Sequence, residues 1–177
     1  MLVNIKLMCL EELNLNFNQL GNTGLKSLSP HPWSKLREFH LRNNNIGNKG
    51  IIGLASMNMH LLQRLVLGDN KITNDGCKFI ARGQWRQLKY LEVDGNFIQD
   101  DGLDHLTKLG SYNLQTLSIF AARTDVISVE SEKPGIPTMV GLVSLVKGCW
   151  SRLKVEMSVG ICGPTSKDNF LMDTDVR

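Results

Sequence analysis

The sequence has no apolar run of 18 residues, which excludes a membrane-spanning helix. It has 5 prolines, 6% aromatic residues and 21% charged residues beside 42% hydrophobic ones, so it is neither low-complexity nor charged enough to stay disordered. Twenty Lys and Arg stand against 17 Asp and Glu, and a net charge of +3 is too mild to point to nucleic acid. Cys9, Cys77, Cys149 and Cys162 form no Cys-x-x-Cys pair and no metal-ligand spacing, so they read as scattered reduced thiols. No Asn-x-Ser/Thr acceptor occurs, and Met1–Leu10 lacks a charged leader and a small-residue cleavage site. A cytoplasmic chain with neither membrane nor nucleic-acid partner is therefore expected.

Catalytic motifs are missing too. His31, His40, His60 and His105 fall in no metal-binding spacing and beside no nucleophile motif. There is no Gly-x-Ser-x-Gly, no Gly-x-Gly-x-x-Gly and no Walker loop; Gly160–Lys167 lacks the Gly-Lys-Ser/Thr of a phosphate loop and reads as a turn. Of the acidic pairs, Glu11/Glu12 flanks a strand, and Asp100/Asp101 opens a helix, where negative charge is favoured anyway. No catalytic residue, metal ligand or cofactor site is expected.

What the sequence does have is a period of 26. Leu10, Leu36, Leu62, Leu88 and Leu114 open five units. Three positions on come Leu13, Phe39, Leu65, Leu91 and Leu117, and two further Leu15, Leu41, Leu67, Val93 and Ile119. Asn18, Asn44, Asn70 and Asn96 follow, then Leu20, Ile46, Ile72 and Ile98, then Gly24, Gly50, Gly76 and Gly102. The unit Leu-x-x-Leu-x-Leu-x-x-Asn-x-Ile/Leu-x-x-x-Gly is a repeat signature.

This unit resembles the leucine-rich repeat family, and its Asn-x-Ile-x-x-x-Gly segment is most similar to the ribonuclease-inhibitor-like class. The resemblance covers roughly residues 2–121. It implies an α/β solenoid, a curved horseshoe segment with parallel strands on the concave face and short helices on the convex face. Twenty-six residues is shorter than usual for that class and equals the repeat length of F-box-type substrate receptors, which carry Cys where this chain has Asn.

Physics gives the same architecture. Alternation at positions four and six puts both side chains on one face of a short strand, and stacked coils merge those faces into a continuous core. The Asn at position nine is expected to form a buried ladder, its amide satisfying backbone groups that the turn leaves unpaired. Asn22, Asn48, Asn74 and Asp100 stand two residues before the repeat Gly and read as N-caps of the convex helices. Leu25/Leu28, Ile51/Leu54, Cys77/Ile80 and Leu103/Leu106 recur at i, i+3 as the inward helix face, which makes Cys77 a packing residue.

The ends are less regular. Leu2 falls in register with Leu28 and Leu54, inside a convex helix whose strand is missing, which favours a piece of a longer protein and an N-terminal coil prone to self-association. Leu114 to Leu153 is 39 residues, so the fifth unit carries an insertion of 13. The domain reading is repeats over 1–121, an inserted loop over 122–139, a degenerate terminal repeat over 140–162 with Val155, Met157 and Val159 as its strand, and a polar tail over 163–177.

Positions three, five and seven of each strand point away from the core. They make the candidate partner-binding face: Glu38, His40, Arg42, Arg64, Val66, Tyr90, Glu92, Asp94, Ser118 and Phe120, beside Glu12, Asn14, Asn16, Gly68 and Thr116. Mixed charge with Arg, Tyr and Phe suits a protein partner better than a polyanion. A non-catalytic protein-interaction module is the expected function. The alternatives are a regulator of a small GTPase, for which Arg42-Asn43 is the one pair on offer, and a substrate-recognition fragment of a ubiquitin ligase, which needs an F-box.

Overall fold

Leu13 and its 26-residue counterparts alternate with mostly polar neighbours, Val66 excepted, and the backbone extends at each of them. A computed structural model of the chain describes residues 8–107, 113–119, 154–157 and 170–173. Strands β1 (Glu12–Asn14), β2 (Glu38–His40), β3 (Arg64–Val66), β4 (Tyr90–Glu92) and β5 (Thr116–Ser118) alternate with helices α1 (Gly21–Leu28), α2 (Asn48–Ala55), α3 (Asn74–Ile80) and α4 (Asp100–Thr107). The strands pair in parallel with the register of the repeat: Glu12, Glu38, Arg64, Tyr90 and Thr116 stand side by side. This is an α/β solenoid with the sheet on one side and the helices on the other.

Strand β6 (Lys154–Met157) continues the sheet, pairing Leu117 with Val155 rather than with Glu156, where the repeat period would put it. That is the one-residue shift the alternation of Val155 and Met157 implies. Within the stretch read as a polar tail, β7 (Phe170–Asp173) lies antiparallel against β6. Phe120 and the rest of 122–177, including the expected inserted loop, lie outside the described residues.

The core fills the space between sheet and helices. Leu36, Phe39, Leu41, Ile46, Ile51 and Leu54 of the second coil are fully buried, as are their counterparts in the third. Each such side chain contributes roughly 1.5–3 kcal/mol by leaving water. Cys77 packs among them, and burial pushes its thiol up to about 12, so it stays a neutral packing group. In the first coil Leu10, Leu13, Leu15 and Leu20 are only partly buried.

The asparagine ladder forms at three of its four rungs. Asn70 is buried; its Nδ2 donates to the carbonyls of Leu41, Leu67 and Gly68, and its Oδ1 accepts from the N–H groups of Asn44 and Ile46. Asn44 and Asn96 reach back one coil in the same way, to Leu15 and Leu67. Asn18 departs from the expectation. It is exposed and bonds only locally, to Leu15 and Asn16, since no described coil precedes it.

The helix-start asparagines also differ from their reading. None of them caps its own helix. Asn22 Oδ1 accepts from the N–H groups of Gly47 and Gly50, Asn48 Oδ1 from Thr73 and Asn74 Oδ1 from Gln99. Each therefore supplies an acceptor to backbone donors at the start of the next coil's helix, a cap supplied laterally. The repeat Gly makes room for it. A Cβ on Gly76 would lie 2.6 Å from Asn48 Oδ1 and 2.5 Å from Ile72 Cγ2, too close for any side chain.

Candidate protein-binding face on the concave sheet

Positions three and five of neighbouring strands sit side by side about 4.8 Å apart, so residues 26 apart in sequence become neighbours. On this face the structure brings together a connected polar network. Arg42 Nη2 lies 2.7 Å from Asp69 Oδ2, and its Nη1 lies 2.5 Å from Glu92 Oε1 and 3.9 Å from Asp94 Oδ2. Tyr90 donates its hydroxyl to Glu92 Oε2 at 3.3 Å, and Ser118 Oγ lies 3.0 Å from Asp94 Oδ1. The Arg64 guanidinium stacks 3.9 Å over the Tyr90 ring, and its Nε is 3.6 Å from Glu38 Oε2, which also meets His40 Nε2 at 3.3 Å.

Burial grades the network from inside to outside. Glu92 and Asp94 are 12% and 7% exposed at the side chain, Arg42 33%, and Asp69 45%. Burial alone lowers the affinity of Arg42 for its proton, but Asp69, Glu92 and Asp94 together outweigh it and raise its pKa. Tyr90 is likewise raised, first by burial and then by Glu92 and Asp94, against the opposing effect of Arg64, so it remains a phenol donor. Gly68 is what lets the brace close: a Cβ there would stand 2.5 Å from Glu92 Oε1 and 2.9 Å from Arg42 Nη1.

Of the candidate residues, Glu38, His40, Arg42, Arg64 and Tyr90 are half-buried on the concave surface. Val66, Glu92, Asp94 and Ser118 are buried; Glu92 and Asp94 lie against Arg42, Glu92 accepts from Tyr90, and Ser118 meets Asp94. Asp69 was not among the candidates. It stands at position eight, just past the strand, where the backbone is left-handed in every coil from Phe17 (φ 58°) through Asn43 (52°) and Asp69 (51°) to Gly95 (61°). The signal for it was a carboxylate one coil along from Arg42 and one position later. Among the described residues no group of three His, Cys, Asp or Glu is placed to hold a metal ion. None of the described helices is long and apolar enough to cross a membrane.

A family model described as Leucine Rich repeat matches residues 6–29, 34–55 and 58–81. Over those residues the chain is similar to leucine-rich repeats. No curated protein sequence matches it. Among solved structures, leucine-rich repeats of the chain are similar to "Leiomodin-1 Actin-Binding Site 2 (ABS2)", at 19% identity and a TM-score of 0.56, covering 81% of this chain and 82% of that one. A second similarity is to an internalin C2 from Listeria monocytogenes, at 20% identity, covering 89% and 77%, with a TM-score of 0.37. The repeats account for the parallel sheet and its convex helices, and no catalytic family matches.

Proposed function

We propose that the chain is a non-catalytic, cytoplasmic binding module that holds a protein partner on its concave sheet, over coils two to four. The observation that carries this is the exposed layer of the network: Arg64, Tyr90, Glu38 and His40 are ordered by one another before any partner arrives. Ordered side chains lose little rotamer freedom on binding, and Arg and Tyr are the types most often found as hot spots. The GTPase-regulator reading is less well supported, because Arg42 is clamped by three carboxylates and is not free to reach a bound nucleotide.

Arg64→Ala or Tyr90→Ala should weaken partner binding by about 2 kcal/mol, roughly 30-fold, while convex changes such as Lys26→Ala and Lys78→Ala leave it unchanged. Affinity purification from native cells supplies the partner, and actin joins the panel because the similar leiomodin fragment is an actin-binding site. A partner that tolerates Arg64→Ala and Tyr90→Ala but is lost on convex changes contradicts the assignment.

Self-association is a second contact that we infer from the half-buried Leu13 of β1 and Leu15 just past it, since β1 stands at one end of the sheet among the described residues. Sedimentation should show a mass that rises with concentration. A monomer at every concentration removes this contact.

A further inference from the structure

We propose that Phe17 is a binding anchor at the rim of the concave face, and that the segment it holds is a basic stretch of a protein. This rests on the reading that the concave sheet binds protein, and it adds the partner's chemistry and a contact outside the strands.

The anchor follows from a conflict between backbone and side chain. Phe17 sits at position eight with φ 58°, in the left-handed region that coils two to four fill with Asn43, Asp69 and Gly95. Asn, Asp and Gly tolerate that conformation; a bulky aromatic side chain resists it. Nor does folding gain much by burying the ring, because Phe17 is 70% exposed. The backbone is held there by the Phe17 N–H donating to the carbonyl of Arg42 at 2.8 Å. A strained residue whose side chain packs on little else points to a role outside folding. An exposed aromatic at the edge of a pre-ordered polar face is the kind of group that anchors an interface.

Charge decides what lies against it. Positions three, five, seven and eight of the coils of β1–β5 carry five carboxylates among the described residues, on Glu12, Glu38, Asp69, Glu92 and Asp94. Arg42 and Arg64 are the two cations there, which leaves 2 − 5 = −3 on this face of a chain whose total is +3. Both arginines are already engaged, Arg42 by Asp69 and Glu92, Arg64 by Glu38 and the Tyr90 ring. The same pairs engage Glu38 and Asp69, but the carboxylates outnumber the cations: Glu38 and Asp69 keep 44% and 45% of their side chains exposed, and Glu12 is exposed. Asp69 lies two coils from Phe17 along the same rim, roughly 10 Å at 4.8 Å per strand. A Lys or Arg of the partner can thus meet a carboxylate while a neighbouring side chain, apolar or cationic, covers the ring. An acidic partner would face uncompensated like charge.

The test is an array of random 12-residue peptides probed with the whole chain, followed by titration of the strongest binder in solution. Enrichment of Lys and Arg over Asp and Glu is expected. Phe17→Asn should weaken that peptide at least tenfold while raising the unfolding temperature, because Asn suits the left-handed backbone. Glu12→Gln combined with Glu38→Gln should also weaken it, and added salt should mimic the loss. Preference for acidic or uncharged peptides overturns the chemistry. Unchanged affinity in Phe17→Asn overturns the anchor, and so does a lowered unfolding temperature, which would make the ring structural. Peptides lost with Tyr90→Ala but indifferent to Phe17→Asn remove the anchor alone; peptides indifferent to both lie off the concave face and remove the reading beneath it.

Discussion

Asn70→Ala is expected to lower the free energy of unfolding by about 3 kcal/mol, whereas Asn18→Ala costs almost nothing. Both residues occupy position nine, so the repeat pattern alone treats them as equals. Asn70 is buried and holds five backbone groups, three carbonyls and two N–H groups, drawn from two successive coils. Alanine takes the partner from the Leu41 carbonyl and from the N–H groups of Asn44 and Ile46, while the Leu67 and Gly68 carbonyls keep Asn96 and the Asn43 N–H, and each unsatisfied buried group costs about 1–3 kcal/mol before the chain relaxes. Relaxation and water entry recover part of the sum. Asn18 bonds two carbonyls from an exposed position where water replaces the amide. Urea unfolding of the two variants measures the difference; equal losses would remove the ladder from the account of stability.

Arg42→Ala should cost about 3 kcal/mol of stability, at the low end for breaking a buried ion pair because Arg42 is one-third exposed. The cost comes from what remains. Glu92 and Asp94 lie deep in the face with Arg42 between them, and removing the cation leaves their charges close together. The sign of the pKa shift agrees: the folded state raises the Arg42 pKa, so while Asp69, Glu92 and Asp94 are ionised its stabilising effect is present up to the ordinary arginine range and fades above it. Arg64→Ala is the contrast. Its ion pair with Glu38 is long and exposed on both sides, so the stability change should stay within about 0.5 kcal/mol. Thermal unfolding of the two variants separates a brace from a binding residue; equal destabilisation contradicts the division.

The described coils were legible because their information is lateral and periodic. Leu13, Phe39, Leu65, Leu91 and Leu117 pair at the spacing the sequence shows, and position three stands beside position three from Glu12 to Thr116. The errors came from reading laterally placed groups as local ones. Asn22 looks like the cap of the helix it begins, but its carbonyl oxygen accepts from the N–H groups of Gly47 and Gly50 one coil away. Asn18 looks like a rung, but a rung is made by the carbonyl of the preceding coil. Asp69 and Phe17 were missed because position eight is a free position in the repeat; only the column Phe17, Asn43, Asp69, Gly95 shows that one member does not suit its backbone. Glu92 and Asp94 were placed on the right face, but their depth could not be read from alternation, since it depends on Arg42 arching over Gly68.

Photo-crosslinking tests the concave assignment most directly. A benzophenone-bearing amino acid is placed at position 40, on the face of β2, and separately at position 78, on the exposed side of α3. Irradiation in the native cell should couple the protein partner from position 40 and not from position 78. Coupling from position 78 alone would contradict the account.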